Sequence, residues 1–223
     1  MDALPRNPAS PELWNGMEVL AHGAHRICVR DAGAPQFCLK FERPLHERPA
    51  SGLRQRARLW LGHRLPYFGD NRAELRAYRA LHRRIGTAAD TPFTRSHGIV
   101  ATPWGAALRT DCVLLADGQP ACSLHAHLHR LRCHSPVSLC QAVMDFEQWL
   151  VEHRLPLFDL NPGNFVVVPH GDGLRLVCVD AKSLARGKEL LPLSRWSSRL
   201  MRRKIRRRAA RLRARIVEAL DTD

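Results

Sequence analysis

The residues with the clearest chemical potential lie in one polar stretch, residues 157–164, and in an aspartate that follows it. The stretch sets Asp159 and Asn164 five positions apart, and Asp180 comes after two further apolar runs. In phosphoryl transfer, one carboxylate orients the attacking hydroxyl, while an asparagine and a second aspartate give oxygen ligands to Mg²⁺. The spacing therefore predicts a catalytic role for Asp159 and metal ligation by Asn164 and Asp180. Simple turn capping by Asp and Asn is the alternative.

The same chemistry needs a cation against the phosphates, and Lys40 is the candidate because it lies near the end of a predicted strand. Glu74, at the start of a predicted helix, would pair with Lys40 and hold it extended. Glu42 and Glu47 are rival partners for this lysine. Gly23, in an earlier turn, would let the backbone approach the phosphates. Alternatively, Lys40 faces solvent and Glu74 offsets the helix dipole.

The N-terminal part of the chain predicts a small antiparallel sheet, because short apolar runs alternate there with turn residues. A helix should follow over residues 71–85, since its apolar residues recur on one stripe and Gly86 stops it. Asp70 or Asn71 would cap the start of that helix. The expected strands are residues 17–20, 26–30 and 36–41.

The next segments predict a less regular region and two more strands. Residues 43–70 carry prolines and arginines without clean periodicity, which indicates an insertion with a short helix near residues 53–61. Residues 97–115 alternate between apolar runs and turns, so two further strands are expected there. The segment 113–118 would link the two lobes, and its Leu115 would lie beside an adenine.

The C-terminal half predicts a mainly helical lobe with one hairpin. A Ser-Pro pair at positions 135–136 opens a long helix whose apolar residues recur at spacings of four, three and four. Residues 165–168 and 174–179 form two apolar strands around a Gly-containing turn. This hairpin would connect the Asp159 loop to Asp180.

The formal charge of +14 is concentrated at the C-terminus, where 11 of the 35 Lys and Arg residues lie at position 195 or later. The segment 193–220 predicts a basic amphipathic helix with apolar positions at 201, 205, 209, 212, 216 and 220. Its stripe would dock on the larger lobe, and residues 195–215 would contact nucleic acid or an anionic membrane surface. Sequence-specific nucleic-acid reading is not expected, because no helix-turn-helix or zinc-finger pattern is present.

A histidine-rich stretch raises a separate metal hypothesis. His125, His129 and Cys133 recur every four residues and would share one face if this stretch is helical. With His127 or His134 nearby, that face would offer ligands for Zn²⁺. An exposed helix face explains the same spacing, because the ligands lack a compact closing pair.

The seven cysteines are scattered and form no C-x-x-C pair, which is typical of reduced thiols in a reducing compartment. No apolar stretch approaches the roughly 18 to 20 residues that span a bilayer. The N-terminus lacks a basic region followed by an apolar core, so no signal peptide is expected. A cytoplasmic location follows, with peripheral contact to the inner face of the membrane as an option through the basic tail.

In order and spacing, the polar residues above resemble those of protein-kinase-like folds. More narrowly, roughly residues 17–215 resemble the YrbL-type family, the PhoP-regulatory-network proteins assigned a kinase-like domain. The resemblance implies a bilobal fold that binds ATP between its lobes, and it brings no established substrate. The stretches that carry it are residues 23–28, 37–40, 74–78, 117–118, 159–164 and 191–193, before a basic end.

Several positions depart from active protein kinases. The glycine-rich turn retains Gly23 alone, and Leu157 and Phe158 replace the usual His-Arg before the catalytic aspartate. Asn161 stands where a catalytic-loop lysine often lies, and no Phe-Gly follows Asp180. No activation-segment pattern appears after it. These departures argue against a protein substrate and leave a small-molecule kinase or a weakly catalytic ATP-binding protein.

We therefore predict an α+β, bilobal, protein-kinase-like fold with a small antiparallel N-lobe and a mainly helical C-lobe that carries the catalytic hairpin. The expected parts are a strand-rich lobe at residues 1–116 with the insertion at 43–70, a helical lobe at 117–194, and the basic helix at 195–223. The expected activity is transfer of the γ-phosphate of ATP–Mg²⁺ to a non-protein hydroxyl, on a sugar or an envelope precursor. A catalytically weak nucleotide-binding regulator and a basic nucleic-acid-associated protein are the alternatives.

Overall fold

An antiparallel sheet forms from the apolar runs of the N-terminal part and from the two runs within residues 97–115. The computed structural model describes residues 13–48, 69–185 and 197–221. Within them, the six strands of this sheet follow the order β1-β2-β3-β4-β6-β5, and every neighbouring pair is antiparallel. The strands are β1 (Leu13–Trp14), β2 (Met17–His22), β3 (Arg26–Arg30), β4 (Phe37–Glu42), β5 (Ser96–Thr102) and β6 (Gly105–Asp111).

The register of β3 against β4 decides which side chains share a face of the sheet. Val29 lies opposite Leu39, and Cys28 lies opposite Lys40. Because side chains alternate along a strand, Leu39 belongs to the apolar face and Lys40 to the opposite one, together with Arg26. The apolar face forms a core of Met17, Val19, Val29, Leu39, Phe41 and Ala107.

The helices begin largely where the sequence provides caps. Ser135 accepts a hydrogen bond from the Ser138 backbone N–H at 3.1 Å, with a proline in the first turn, as its Ser-Pro pair predicts. Ser197 accepts one from the Leu200 N–H at 3.4 Å. The helices are α1 (Asp70–Ile85), α2 (Leu124–Ala126), α3 (Pro136–Glu152), α4 (Lys182–Ala185) and α5 (Ser198–Leu220); α2 continues as a π-helical segment, His127–Leu131.

The predicted hairpin is present as β7 (Phe165–His170) and β8 (Gly173–Cys178), an antiparallel pair. Its turn includes Gly171 at φ +55°, a conformation that glycine adopts without steric cost. Phe165 pairs with Cys178, so the hairpin starts and finishes at one end. That end carries both the Asp159 loop and Asp180.

A second core lies under α3, α5 and the hairpin. The basic C-terminal helix docks through its apolar stripe, with Ile205, Ala209 and Ile216 fully buried and its arginines mostly exposed. The predicted docking of this helix through its apolar stripe is therefore confirmed. The second core also includes Leu124, Leu139, Leu150, Leu157, Phe165 and Leu176.

The described residues divide into two compact units, each with its own core. The first unit comprises described residues within 13–75 and 95–112, and the second comprises 76–94 and those within 113–221. The chain is thus α+β. None of the described helices is long and apolar enough to cross a membrane. The short helix expected near residues 53–61 and the stretch 191–193 lie outside the described residues.

Candidate functional site

Lys40 and Glu74 form a buried ion pair, so Glu74 is the partner among the three acids that the sequence left open. Lys40 Nζ donates to Glu74 Oε1 at 2.6 Å. The lysine side chain is 7% exposed and the glutamate 2%, so solvent screens this pair little. Strand β4 supplies the lysine from the face opposite its core, and the start of α1 supplies the glutamate.

A second cation, Arg26, shares the same carboxylate. Its Nη1 donates to Glu74 Oε2 at 2.5 Å, and its side chain is 10% exposed. Sequence reasoning left Arg26 out of the site. A usable signal was present, because Arg26 has the parity of Cys28, which pairs with Lys40 across β3 and β4.

Asn71 fixes α1 against the sheet at this point. Its Nδ2 donates to the Lys40 carbonyl at 2.7 Å, and its Oδ1 accepts from Arg26 Nη1 at 3.3 Å. Its backbone N–H donates to Glu42 Oε1 at 2.8 Å, which caps the helix start. Because Asn71 and Glu74 are three residues apart on one helical face, this anchor also sets Glu74 against Lys40.

The buried group formed by Arg26, Lys40 and Glu74 carries two positive charges and one negative charge. Both cations are of the kind that bind phosphate oxygens through charge-assisted hydrogen bonds. The rival acids have other partners: Glu42 accepts from Arg48 at 3.1 Å, and Glu47 lies 3.8 Å from Arg43. The group can therefore both hold a lysine extended and attract phosphate oxygens.

Gly23 lies in the three-residue turn between β2 and β3. Its backbone N–H donates to the Arg26 carbonyl at 2.8 Å, and a Cβ at this position would stand 3.1 Å from that same oxygen. Glycine is therefore favoured here by a close backbone approach. The turn brings Gly23 next to Arg26 in the first unit, but it is shorter than a glycine-rich phosphate loop.

The Asp159 loop in the second unit is held by its own side chains. Asn164 Nδ2 donates to the Asp159 carbonyl at 3.4 Å, and the Asn161 side chain accepts from the Gly163 N–H at 3.2 Å. The Asn164 carbonyl accepts from the Val179 N–H at 2.9 Å. The structure thus brings the Asn164 backbone beside the residue that precedes Asp180, as the predicted hairpin requires.

Asp180 is engaged by a residue that the sequence analysis did not single out. Its Oδ1 accepts from the Lys182 backbone N–H at 3.0 Å, and its Oδ2 lies 3.0 Å from Lys182 Nζ. The Asp180 side chain is 12% exposed. Mg²⁺ would fit Asp180 and the Asn164 amide oxygen as hard oxygen ligands, but only after the Lys182 ammonium moves away.

Leu115 lies in a tight turn of the linking segment. Its N–H donates to the Gln119 carbonyl at 2.8 Å, and its own carbonyl accepts from Gly118 at 3.0 Å. Its side chain packs on an apolar cluster that includes Val166 and Val177 of the hairpin. Both backbone groups of Leu115 are therefore used internally, so an adenine would find its side chain rather than its amide.

The residues that replace the usual His-Arg pair are structural. Leu157 is fully buried in the second core, and the Phe158 ring lies 3.9 Å from Lys204 Nζ of α5. This cation–π contact joins the basic helix to the residue before Asp159. Within the described part of the chain, the predicted site residues therefore form two groups, one in each unit.

The histidine stretch forms only part of the predicted stripe, because His125 and His129 share an exposed helix face and Cys133 does not join them. The helical segment ends at Leu131, and Arg132 adopts a left-handed conformation at φ +46°. Cys133 consequently leaves the face of His129 and turns back towards His127. The premise of one regular helix over these residues is wrong.

The protein is thus an α+β protein of two compact units. One unit holds the buried Lys–Glu pair, and the other holds Asp159 and Asp180 on the loop before the hairpin and at its end. Comparison with family models assigns the chain further. Residues 14–217 match the family described as PhoP regulatory network protein YrbL, so the chain belongs to this family. No curated protein matches the sequence significantly.

Proposed function

We propose that this protein is a bilobal, protein-kinase-like phosphotransferase that binds ATP–Mg²⁺ and phosphorylates a non-protein hydroxyl. The observation that carries the proposal is the buried group of Arg26, Lys40 and Glu74. A lysine braced by a helix-borne glutamate is the device by which kinases hold phosphates. Arg26 places a second cation on the same carboxylate, so the group offers two donors to a phosphate.

In this proposal, Lys40 binds the α- and β-phosphates and Glu74 keeps its side chain extended. Arg26 adds a second positive charge that raises the attraction for phosphate. Gly23, in the turn that closes on Arg26, leaves room for a phosphate to approach the backbone. Because water screens these buried charges weakly, each contact is worth more here than on the surface.

Asp159 would accept the proton of the acceptor hydroxyl, while Asn164 and Asp180 would ligate Mg²⁺. When bound, Mg²⁺ neutralises the charge on the transferring phosphoryl group. In the structure, the Lys182 ammonium lies against the Asp180 carboxylate, where Mg²⁺ would bind. The ammonium and the metal ion are both cations, so they compete for this carboxylate. Lys182 would therefore have to exchange positions with the metal.

A non-protein acceptor is favoured by the sequence that follows Asp180. It lacks both the Phe-Gly pair and the activation-segment pattern of protein kinases, which dock peptide substrates. A sugar or an envelope precursor, which presents a hydroxyl without needing a docked peptide, suits this proposal better.

A regulator that binds nucleotide without transferring phosphate is the second candidate. The contact of Lys182 with Asp180 favours it, because a resident ammonium competes with the metal that catalysis needs. The internal hydrogen bonds of Leu115 also weaken adenine recognition. This candidate predicts ATP binding that depends on Lys40 without turnover.

Thermal unfolding with ATP and Mg²⁺ tests both candidates. At about 100 times Kd, binding stabilises by about 2.7 kcal/mol, which is a shift of about 5–10 °C at this size. The shift should disappear in Lys40→Met. In Asp180→Asn, the shift should no longer depend on Mg²⁺. Matched controls are Arg30→Met, on the same strand as Arg26, and Asp172→Asn, in the hairpin turn.

An acceptor screen then separates the two candidates. ADP release with sugars, polyols or envelope lipid precursors, abolished by Asp159→Asn, supports the phosphotransferase. Mg²⁺-dependent ATP binding with no phosphate transferred to any acceptor leaves the regulator. No stabilisation by millimolar ATP in any variant eliminates both.

We also propose a cytoplasmic location in which α5 contacts an anionic membrane surface. Its apolar stripe is buried, while its arginines cover the remaining faces at high density. Anionic headgroups attract such residues by about 1 kcal/mol each. The exposed arginines of α5 are Arg199, Arg202, Arg203, Arg206, Arg207, Arg208, Arg211 and Arg215.

Vesicle co-sedimentation tests the membrane contact. Arg203→Gln with Arg207→Gln should weaken binding to phosphatidylglycerol vesicles about 30-fold, since two charges are worth about 2 kcal/mol. Arg79→Gln with Arg83→Gln removes the same charge from exposed positions of α1 and should change little. Equal loss in both variants, or tight binding to RNA with none to vesicles, refutes the membrane contact.

A further inference from the structure

His127, Cys133 and His134 meet in the second unit at a place where the helix backbone is irregular. Segment His127–Leu131 is π-helical, and its closing bond runs from the Arg132 N–H to the His127 carbonyl at 3.1 Å. Arg132 then takes a left-handed conformation at φ +46°. This reversal returns the next two side chains to His127. Single π turns and left-handed non-glycine residues are concentrated at functional sites.

The ligand atoms of the three side chains already form a compact group. Cys133 Sγ lies 3.3 Å from His127 Nδ1, and the His127 and His134 rings are 4.7 Å apart at their centroids. One ligand atom from each side chain lies within 4.8 Å of both others. Tetrahedral Zn²⁺, with bonds of about 2.0–2.3 Å, places its ligand atoms about 3.3–3.8 Å apart.

We propose that His127, Cys133 and His134 form a zinc-binding site with one coordination position left for water or an added ligand. Two imidazoles and a thiolate are a ligand set for Zn²⁺ and exclude Mg²⁺, which prefers oxygen. The modest shortening needed falls on Cys133 and His134, which are exposed and half-buried, while His127 is buried and fixed. This site is independent of the proposed nucleotide site.

The surroundings of the group are compatible with a cation. Burial, and secondarily the neighbouring His134 ring, lower the pKa of His127 to about 4, so this imidazole is neutral at pH 7 and can act as a ligand. The nearest basic residue in sequence, Arg132, donates through Nη2 to the Ala219 carbonyl at 2.8 Å. The other ring pair, His125 with His129, lies 4.5 Å apart and supplies no thiolate.

Zinc would close the short loop between His127 and His134, which leads directly into α3. His134 immediately precedes Ser135, whose side chain caps α3, and α3 carries the docked basic helix. A metal joining His127 to Cys133 and His134 would therefore fix the start of α3. Metal binding that orders a loop in this way appears as added thermal stability.

Cobalt and zinc titrations of the reduced, chelator-treated full chain test the proposal. One Co²⁺ per chain should give thiolate-to-cobalt absorption and the visible bands of a tetrahedral site, and Zn²⁺ should remove both. Cys133→Ser should abolish the thiolate absorption. His134→Ala should lower the affinity for metal at least about tenfold. Loss of a residue that only supports a ligand already costs about that much, and loss of the ligand itself should cost no less.

Two controls fix the location of the metal. Cys122→Ser removes another exposed thiol and should leave the spectrum unchanged. His125→Ala with His129→Ala should also leave affinity unchanged, although it removes two rings from the same stretch. Because Cys133 and His134 are surface residues, their variants remain informative if His127→Ala fails to fold. Absence of a tetrahedral spectrum, its survival in Cys133→Ser, or a loss in the double histidine variant equal to that in His134→Ala overturns the proposal.

Discussion

The shared carboxylate of Glu74 predicts an asymmetry among three otherwise similar substitutions. Glu74 faces Lys40 at 2.6 Å and Arg26 at 2.5 Å, and only 2% of its side chain is exposed. Glu74→Gln keeps the shape of this side chain but removes the negative charge that both buried cations contact. Lys40→Met removes a cation and leaves Glu74 paired with Arg26.

The charges give the expected magnitudes. Loss of one partner that strands a buried charge costs about 3–5 kcal/mol, so Glu74→Gln should lower Tm by about 6–20 °C. Lys40→Met keeps the contact of Glu74 with Arg26 and nearly the same volume, so it should cost clearly less than Glu74→Gln. Glu18→Gln is the exposed control: its oxygen lies 3.6 Å from Arg30, and such pairs contribute about 0–1 kcal/mol.

Thermal and denaturant unfolding without nucleotide measure the three variants. Hydrogen exchange of peptides that span β3 and β4 assigns the loss to the first unit. The reasoning fails if Lys40→Met costs as much as Glu74→Gln, because the carboxylate would then not be serving both cations. It also fails if Glu74→Gln resembles the exposed Glu18→Gln control.

Three further substitutions test the second unit and the turn between β2 and β3. Lys182→Ala should increase the Mg²⁺-dependent stabilisation by ATP, because it removes the ammonium that lies 3.0 Å from Asp180 Oδ2. Isothermal titration with Mg²⁺ and ATP measures this stabilisation, and an unchanged affinity contradicts the prediction. Ile205→Ala, at a fully buried position of α5, should cost about 2–5 kcal/mol in denaturant unfolding. Leu200→Ala, 46% exposed on the same helix, should cost less than about 0.5 kcal/mol. Gly23→Ala should lower Tm by a few degrees, since its Cβ would crowd a carbonyl at 3.1 Å.

Local periodicity places Lys40 on a strand and Glu74 at the start of a helix, but it does not decide among Glu74, Glu42 and Glu47 as the partner of Lys40. Strand alternation separates Lys40 from the apolar residues Leu39 and Phe41 on either side. The apolar stripe of the helix begins near the start of α1, where Glu74 lies. Strand alternation offered a signal for Arg26, but its use requires the register of β3 against β4. A shift of one residue in that register would send Arg26 to the other face.

The second unit shows a different limit of sequence reasoning. Lys182 meets Asp180 through a turn of two residues, which no periodicity reports. The histidine stripe failed because regular helical spacing was extended past Leu131, where the backbone changes hand at Arg132. Backbone irregularity at a non-glycine residue has weak sequence signals, and here it decides which side chains meet.

The docking of α5 changes how its partners must be tested. The stripe that it buries includes Met201, Ile205, Ala209, Leu212 and Ile216, all part of the second core. Deleting the helix would expose that core and unfold the unit, so a loss of nucleotide, vesicle or RNA binding would carry no information about the arginines. Lys204 adds a second reason, since it contacts Phe158 beside Asp159. The tail is therefore a structural part of the proposed catalytic unit, and its surface function can be separated only by neutralising exposed arginines while the apolar stripe stays intact.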